Sequence, residues 1–255
     1  MSSQITAIVL AAGAGTRMKS ARAKVLHEVG GRSMIEHALR AVRGAGVSQT
    51  ITVVGHDRDQ VTSAVTRFNP DIVHAVQEKQ NGTGHAVQVA LAALDAPPTG
   101  TVLITYADVP LLTSQTLAEL LVDHHSAERK VTILTAEVND PTGYGRIIRA
   151  DDGSVRAIRE HKDASADELE VREINSGILA VDAEFLADAV ARLDADNAQG
   201  ELYVTDTPGL LVRDGDAVAV HTAPVPVEVK GINTGVELGA VAPARRDRVN
   251  EPHML

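Results

Sequence analysis

The chain has 255 residues, 44% of them hydrophobic and 23% charged, a composition that suits one large α/β domain and excludes a disordered polymer. A net charge of −10 with a pI near 5.4 excludes a general nucleic-acid-binding face, but leaves room for a small phosphorylated ligand wherever cations are gathered locally. The lack of Cys excludes disulfides, thiolate metal sites and cysteine nucleophiles and fits a reducing, cytoplasmic setting, and no apolar run approaches the roughly 18 residues of a membrane span.

Residues 6–11 read as a buried strand. The break at Gly13 and the lack of a basic leader argue against a signal peptide. Residues 33–45 predict a helix with Met34, Ile35, Ala38, Leu39 and Val42 on one face. Further strands are expected over 50–55, 71–77, 101–105 and 131–138, with helices over 60–68, 84–94 and 114–125 between them. Strands separated by helical stretches of that length imply right-handed crossovers, so the fold class is α/β, a Rossmann-like, mainly parallel sheet flanked by helices. After residue 143 the texture changes. Residues 145–149 and 155–159, joined by Asp151-Asp152-Gly153, read as a β-hairpin. Strands over 176–181 and 217–221 flank a helix over 183–193, and the whole second half is expected to add antiparallel strands to the same sheet as a substrate lobe. Residues 242–255 read as the start of a charged helix.

Ligands in such sheets bind at the carboxyl ends of the strands, where Gly13, Gly55 and Ala107-Asp108 all fall. Leu10, Ala11, Ala12 and Gly13 open a loop of small residues whose backbone can approach a ligand closely and aim N–H groups at phosphate oxygens. Arg17 and Lys24 follow and supply the local positive charge. A dinucleotide fingerprint fails at Met18, and no Gly-Lys-Ser/Thr of a P-loop is present. Composition alone also fits a structural turn. Other residues carry bland readings too: Thr83 as a helix N-cap, Asp108 before Val-Pro as a turn-former, Glu160 as a solvated surface charge. The ten His residues show no metal-ligand spacing, and His124, His125 and His253 are expected at the surface.

Residues 10–18 with Lys24-Val25-Leu26 resemble the signature of sugar-1-phosphate nucleotidyltransferases. Residues 77–87 (QEKQNGTGHAV) and 141–147 (PTGYGRI) narrow the resemblance, and 160–163, 173–177 and 197–201 continue it in order over essentially the whole chain. The chain is similar to the uridyltransferase (pyrophosphorylase) domain of the bacterial bifunctional N-acetylglucosamine-1-phosphate uridyltransferase/glucosamine-1-phosphate acetyltransferases. The resemblance implies the nucleotide-diphospho-sugar transferase fold over residues 1–241, with antiparallel β additions forming a sugar-binding lobe. It also implies Mg²⁺-dependent transfer from UTP to N-acetylglucosamine 1-phosphate, a cytoplasmic step toward cell-wall peptidoglycan precursors.

Residue by residue, it implies nucleotide contacts from residues 10–13, Gln77, Gln80, Gly82, Thr83, Tyr106 and Ala107, with Gln77 to Thr83 reading the uracil. Arg17 and Lys24 become catalytic cations, Asp108 and Asn233 the metal ligands, and Gly145, Glu160, Asn175, Tyr203 and Thr205 the sugar contacts. Residues 242–255 match the start of that family's linker helix. No hexapeptide repeat follows, so acetyl transfer is not expected and a monomer or weak oligomer is. Three positions depart from the family pattern. Ala107 stands for a Gly, Thr234 for Asn or Asp, and Ala23 where Pro often precedes the Lys. At position 107 a positive φ would strain the added methyl; a negative one would cost little. Two neighbouring readings use the same residues: a different sugar-1-phosphate nucleotidyltransferase, and a nucleotide-sugar-binding regulator with weakened catalysis.

Overall fold

A computed structural model describes residues 4–126 and 129–250. The first strand, β1 (Ile5–Leu10), alternates its side chains between two cores. Ala7 and Val9 join one, Ile8 and Leu10 the other, as a strand sandwiched between helical layers requires. A short hairpin, β2 (Glu28–Val29) and β3 (Arg32–Ser33), leads into helix α1 (Met34–Gly44), whose N-cap Ser33 accepts from the Glu36 N–H. Then come β4 (Gln49–Val54), α2 (Arg58–Phe68), β5 (Val73–Val76), α3 (Thr83–Ala92), β6 (Thr101–Tyr106), α4 (Ser114–Ser126) and β7 (Val131–Glu137).

The hairpin β8 (Gly145–Arg149) and β9 (Val155–Arg159) has the bounds its alternation predicts, with Gly153 at positive φ in the turn. Helix α5 (Ala166–Leu169), strand β10 (Glu173–Asp182), helices α6 (Ala183–Ala191) and α7 (Thr207–Arg213), strand β11 (Ala219–Thr222) and helix α8 (Gly235–Asn250) complete the chain.

One nine-stranded sheet runs β11-β7-β10-β6-β1-β4-β5, with β8 and β9 attached through β10. Helices α1, α2 and α4 cover one face, and α3, α6 and α7 the other. The β1 strand pairs in parallel with both β4 and β6. The chain steps outward from β1 to β4 and β5, then returns to the other side of β1 as β6. The strand order therefore reverses between β1 and β6, and a crevice opens at their carboxyl ends. Among the described residues, no helix is long and apolar enough to cross a membrane.

Two expectations change. The second half is not wholly antiparallel: β10 pairs antiparallel with β6, β7 and β8, but β11 runs parallel to β7. The crossover through α6 and α7 is long enough to return the chain in either direction, so periodicity could not fix its sense. His124 is not a surface residue. It lies four residues after Leu120 on the buried face of α4, 3% exposed, with its Nδ1 3.1 Å from Thr132 Oγ1. Burial, with His125 nearby, lowers its pKa to about 4, so the ring is neutral at pH 7. His125 is exposed as expected, and His253 lies outside the described residues. The hairpin β2–β3 and helices α5 and α7 were not expected. Helix α7 carries Pro208 in its first turn, where Pro is tolerated because its missing N–H would have no partner.

Candidate active site

The loop leaving β1 and the segment leaving β5 line one cleft of about 230 Å³. Leu10, Ala11, Ala12 and Gly13 form one wall and Gln77, Gln80, Gly82 and Thr83 another, with Tyr106, Lys24 and Asp108 completing the lining. Backbone hydrogen bonds draw these elements together. The Ala11 N–H donates to Val53 O, the Gln77 N–H to Val54 O and the Ala107 N–H to Leu10 O. Side chains add to this: Gln80 Nε2 donates to Ala12 O at 2.6 Å, tying the two walls. Gln77 is buried, and its amide donates to Gly82 O at 3.0 Å and lies 3.1 Å from His85 Nδ1. Its amide hydrogens thus brace the turn, leaving its oxygen as the group that can meet a ligand.

Residues 201–205, given only pocket-lining roles at Tyr203 and Thr205 by resemblance, form a strap across this segment. Leu202 O accepts from Gly84 N (2.7 Å), Leu202 N donates to Asn81 O (2.9 Å), and Val204 N donates to Thr83 Oγ1 (3.0 Å). The Asn197 side chain secures the strap from outside, donating to Glu201 O at 2.6 Å. Glu201 also lines the cleft. No local pattern marks this pairing, since the partners are about 120 residues apart.

At the mouth of the cleft, Lys24 Nζ donates to Asp108 Oδ2 at 2.5 Å and to Asn233 Oδ1 at 2.7 Å. Arg17 Nη2 donates to the same Asn233 oxygen at 2.9 Å. Four residues singled out from distant parts of the sequence therefore meet at one point. Their supports are local. The Ile232 N–H donates to Asp108 O, joining the two segments directly, and the Tyr144 hydroxyl hydrogen-bonds the Gly231 backbone. The Asn233 and Thr234 N–H groups both donate to Glu237, while Thr234 Oγ1 accepts from the Glu237 N–H. This is a capping box at the start of α8, so Thr234 serves as its N-cap. The departure from Asn or Asp there is a change of cap and not of ligand.

The backbone accommodates the other two departures without strain. Ala107 is fully buried, packs into the core away from the cleft, and is absent from the positive-φ residues, so its methyl is unstrained. Ala23 has φ −50, which Pro would also accept, but its N–H donates to Gln60 Oε1 at 3.3 Å, a bond Pro cannot make.

Gly145, Glu160, Asn175 and Thr205 gather on the far side of Tyr106. Asn175 pairs with Gly145 across β10 and β8, a Cβ on Gly145 would lie 3.3 Å from Glu160 Oε1, and Thr205 Oγ1 donates to that oxygen at 2.8 Å. Glu160 is half-buried and hydrogen-bonded, in contrast to a solvated surface charge. Tyr203 closes the group, its hydroxyl accepting from Gln199. Arg146 was quoted only within its motif. It is fully buried, donates to Tyr144 O, and so shapes the loop between β7 and β8. The Tyr106 phenol sits between the two groups, hydrogen-bonded to Thr83, and burial raises its pKa so that it stays protonated.

Asp206 borders this second group. Burial, and then repulsion from Glu160, push its carboxyl up to about 6 from an ordinary 3.8. The native state therefore holds a proton that the unfolded chain has lost between about pH 4 and 6, and stability falls as pH rises through that window. Asp206→Asn is expected to raise the melting temperature relative to wild type at pH 7.5 but not at pH 4. A difference independent of pH would contradict this account.

The model of the MobA-like NTP transferase domain matches residues 7–174. Three similar proteins are each described as a "Bifunctional protein GlmU". That of Corynebacterium aurimucosum is 50% identical over 252 residues, covering 97% of this chain and 52% of that protein. That of Paenarthrobacter aurescens is 50% identical over 249 residues, covering 97% and 50%. That of Thermobifida fusca is 50% identical over 242 residues, covering 94% and 49%. The chain thus spans about half the length of the curated relatives it matches. With a family model spanning β1 through the start of β10, the chain belongs to the MobA-like NTP transferase family and is a nucleotidyl-transferring enzyme.

Proposed function

We propose that the chain transfers a uridylyl group from UTP to N-acetylglucosamine 1-phosphate, giving UDP-N-acetylglucosamine and pyrophosphate. The observation that carries this reading is the meeting of Arg17, Lys24, Asp108 and Asn233 at the mouth of the cleft, between a nucleotide-sized wall and a cluster suited to sugar hydroxyls. In the reaction a phosphate oxygen of the sugar phosphate bonds to the α-phosphorus of UTP as the bond to the leaving pyrophosphate breaks. That oxygen is already ionised near pH 7, so no side chain has to remove a proton. The protein's work is to align two polyanions and offset their repulsion.

The donor set at the mouth suits a hard cation. Asp108 and Asn233 offer one carboxylate and one amide oxygen turned toward the same point, and a positive charge already sits there comfortably. Among the described residues no group of three or more His, Cys, Asp or Glu forms a dedicated metal cage. This favours Mg²⁺, which takes one or two protein oxygens and completes its shell with phosphates and water. Mg²⁺ bound there would neutralise phosphoryl oxygens during transfer.

Arg17 and Lys24 offset charge on the pyrophosphate, and the backbone of residues 10–13 admits the phosphates closely. Gln80 and the Gln77 oxygen face the base, and Glu160, Asn175 and Thr205 receive the sugar's hydroxyl and acetamido groups. Pyrophosphate release measured across the four NTPs with N-acetylglucosamine 1-phosphate and glucose 1-phosphate tests the reading. The expected result is turnover with UTP and the N-acetylated sugar. Equal or faster turnover with another pair would replace the substrates, and ligand binding without pyrophosphate release would favour the regulator.

A further inference from the structure

The point where the two oxygen donors meet is held by the protein's own cations. Lys24 Nζ donates to both Asp108 Oδ2 and Asn233 Oδ1, and Arg17 donates to the latter. The oxygens are fixed by backbone: the Ile232–Asp108 hydrogen bond holds one segment against the other, and Glu237 grips the N–H groups of Asn233 and Thr234. The base of the Lys24 side chain is fixed as well. Gly15, in a left-handed conformation, packs so tightly on it that a Cβ there would come 2.5 Å from Lys24 Cβ. The tip of the lysine is a compact ammonium with three donors on a flexible stem, held by these two hydrogen bonds rather than by packing. An ammonium within hydrogen-bond reach of both oxygens and a small divalent cation bound to them exclude each other, by volume and by charge.

We propose that Lys24 is a built-in counter-ion that keeps the metal seat closed until a phosphate group draws its ammonium away, so that the divalent ion enters with the nucleotide and not before it. The proposal rests on the reading of Asp108 and Asn233 as metal ligands. Its thermodynamic form is a coupling. Whatever recruits the lysine raises metal affinity, and bound metal raises affinity for the phosphate by the same factor. Losing one charge-assisted contact typically shifts an equilibrium by about ten- to a hundredfold, which sets the expected size.

The test is titration of the nucleotide-free chain with Mn²⁺, following the signal of the free ion by electron paramagnetic resonance. Wild type, Lys24→Met, Asp108→Ala and the double variant are compared. Met keeps the stem against Gly15, and Lys24→Gln serves as a second variant should Met perturb the fold by circular dichroism. Wild type is expected to bind Mn²⁺ weakly, Lys24→Met at least about tenfold more tightly, and the double variant to lose that gain. Uridine 5′-monophosphate, a weak chelator, is expected to raise the Mn²⁺ affinity of wild type but to change that of Lys24→Met much less.

Unchanged affinity in both lysine variants, with Mn²⁺ binding beside the monophosphate still lost in Asp108→Ala, would overturn the counter-ion role and leave the ligand assignment standing. A gain in Lys24→Met that survives in the double variant, or binding indifferent to Asp108 in every arm, would overturn the ligand assignment and the proposal with it.

Discussion

Asp108→Ala is expected to lower pyrophosphate release by roughly three orders of magnitude while the chain stays folded. Removing a single preorganised electrostatic group at a reacting phosphate or acyl centre costs about 10²–10³ in rate, and here the lost carboxylate is also a proposed metal ligand, so the upper end applies. The structural cost is small. Lys24 keeps its bond to Asn233, and both side chains of the broken pair retain some solvent contact, 10% for Lys24 and 23% for Asp108. Losing such a contact is worth about 1–2 kcal/mol, a few degrees of melting temperature for a domain of this size. Initial rates with saturating Mg²⁺, read beside a thermal melt, separate the two effects. Near-normal turnover would remove Asp108 from the site, and loss of the folded signal would make it a structural residue instead.

The second large effect belongs to Gly82. This residue has φ +97, where an L side chain is strained, and a Cβ would press on the Leu202 carbonyl and come within 2.8 Å of Leu202 N and 2.9 Å of Glu201 Cβ. Those atoms belong to the strap and are tied to residues 81–84 by hydrogen bonds, so they cannot retreat without breaking the bonds that hold the strap. Gly82→Ala is expected to cost about 3 kcal/mol or more, combining backbone strain with overpacking. It should also raise KM for both proposed substrates, because the strap carries Thr205 on the proposed sugar side and covers Thr83 on the proposed nucleotide side. Gly13→Ala is the contrasting variant. A Cβ there meets nothing within 4 Å and φ is not positive, so stability should stay within about 0.5 kcal/mol. Denaturant midpoints for the pair check both statements. Equal midpoints would show that the strap yields more readily than its hydrogen bonds imply.

The sheet was legible where burial imposes a period. Strands β1, β4, β5, β6 and β7 and the β8–β9 hairpin follow from apolar runs, alternation and an Asp-Gly turn, because each strand's own residues must satisfy one or two cores. The loop after β1, the Asp108 position and the Gln77–Thr83 segment were legible because strand ends, small residues and charges coincide there. The direction of β11 and the strap were not. Both depend on contacts between residues far apart, to which local propensity is blind. His124 failed for a narrower reason. A titratable side chain favours the surface, but its place on the apolar stripe of α4, four residues after Leu120, decides its burial. Ala107 shows the reverse: the sequence posed a question about φ that only backbone geometry could answer.

The capping box at the start of α8 has a mechanical meaning. Glu237, in the first turn of the helix, is bonded to the backbone of Asn233 itself, so the start of the helix and the Asn233 backbone form one stiff piece. Such a piece acts as a lever whose short arm ends in the site. The Ile232–Asp108 hydrogen bond pins that arm beside Asp108, so backbone bonds, and not the side chains alone, set the spacing of the two side-chain oxygens.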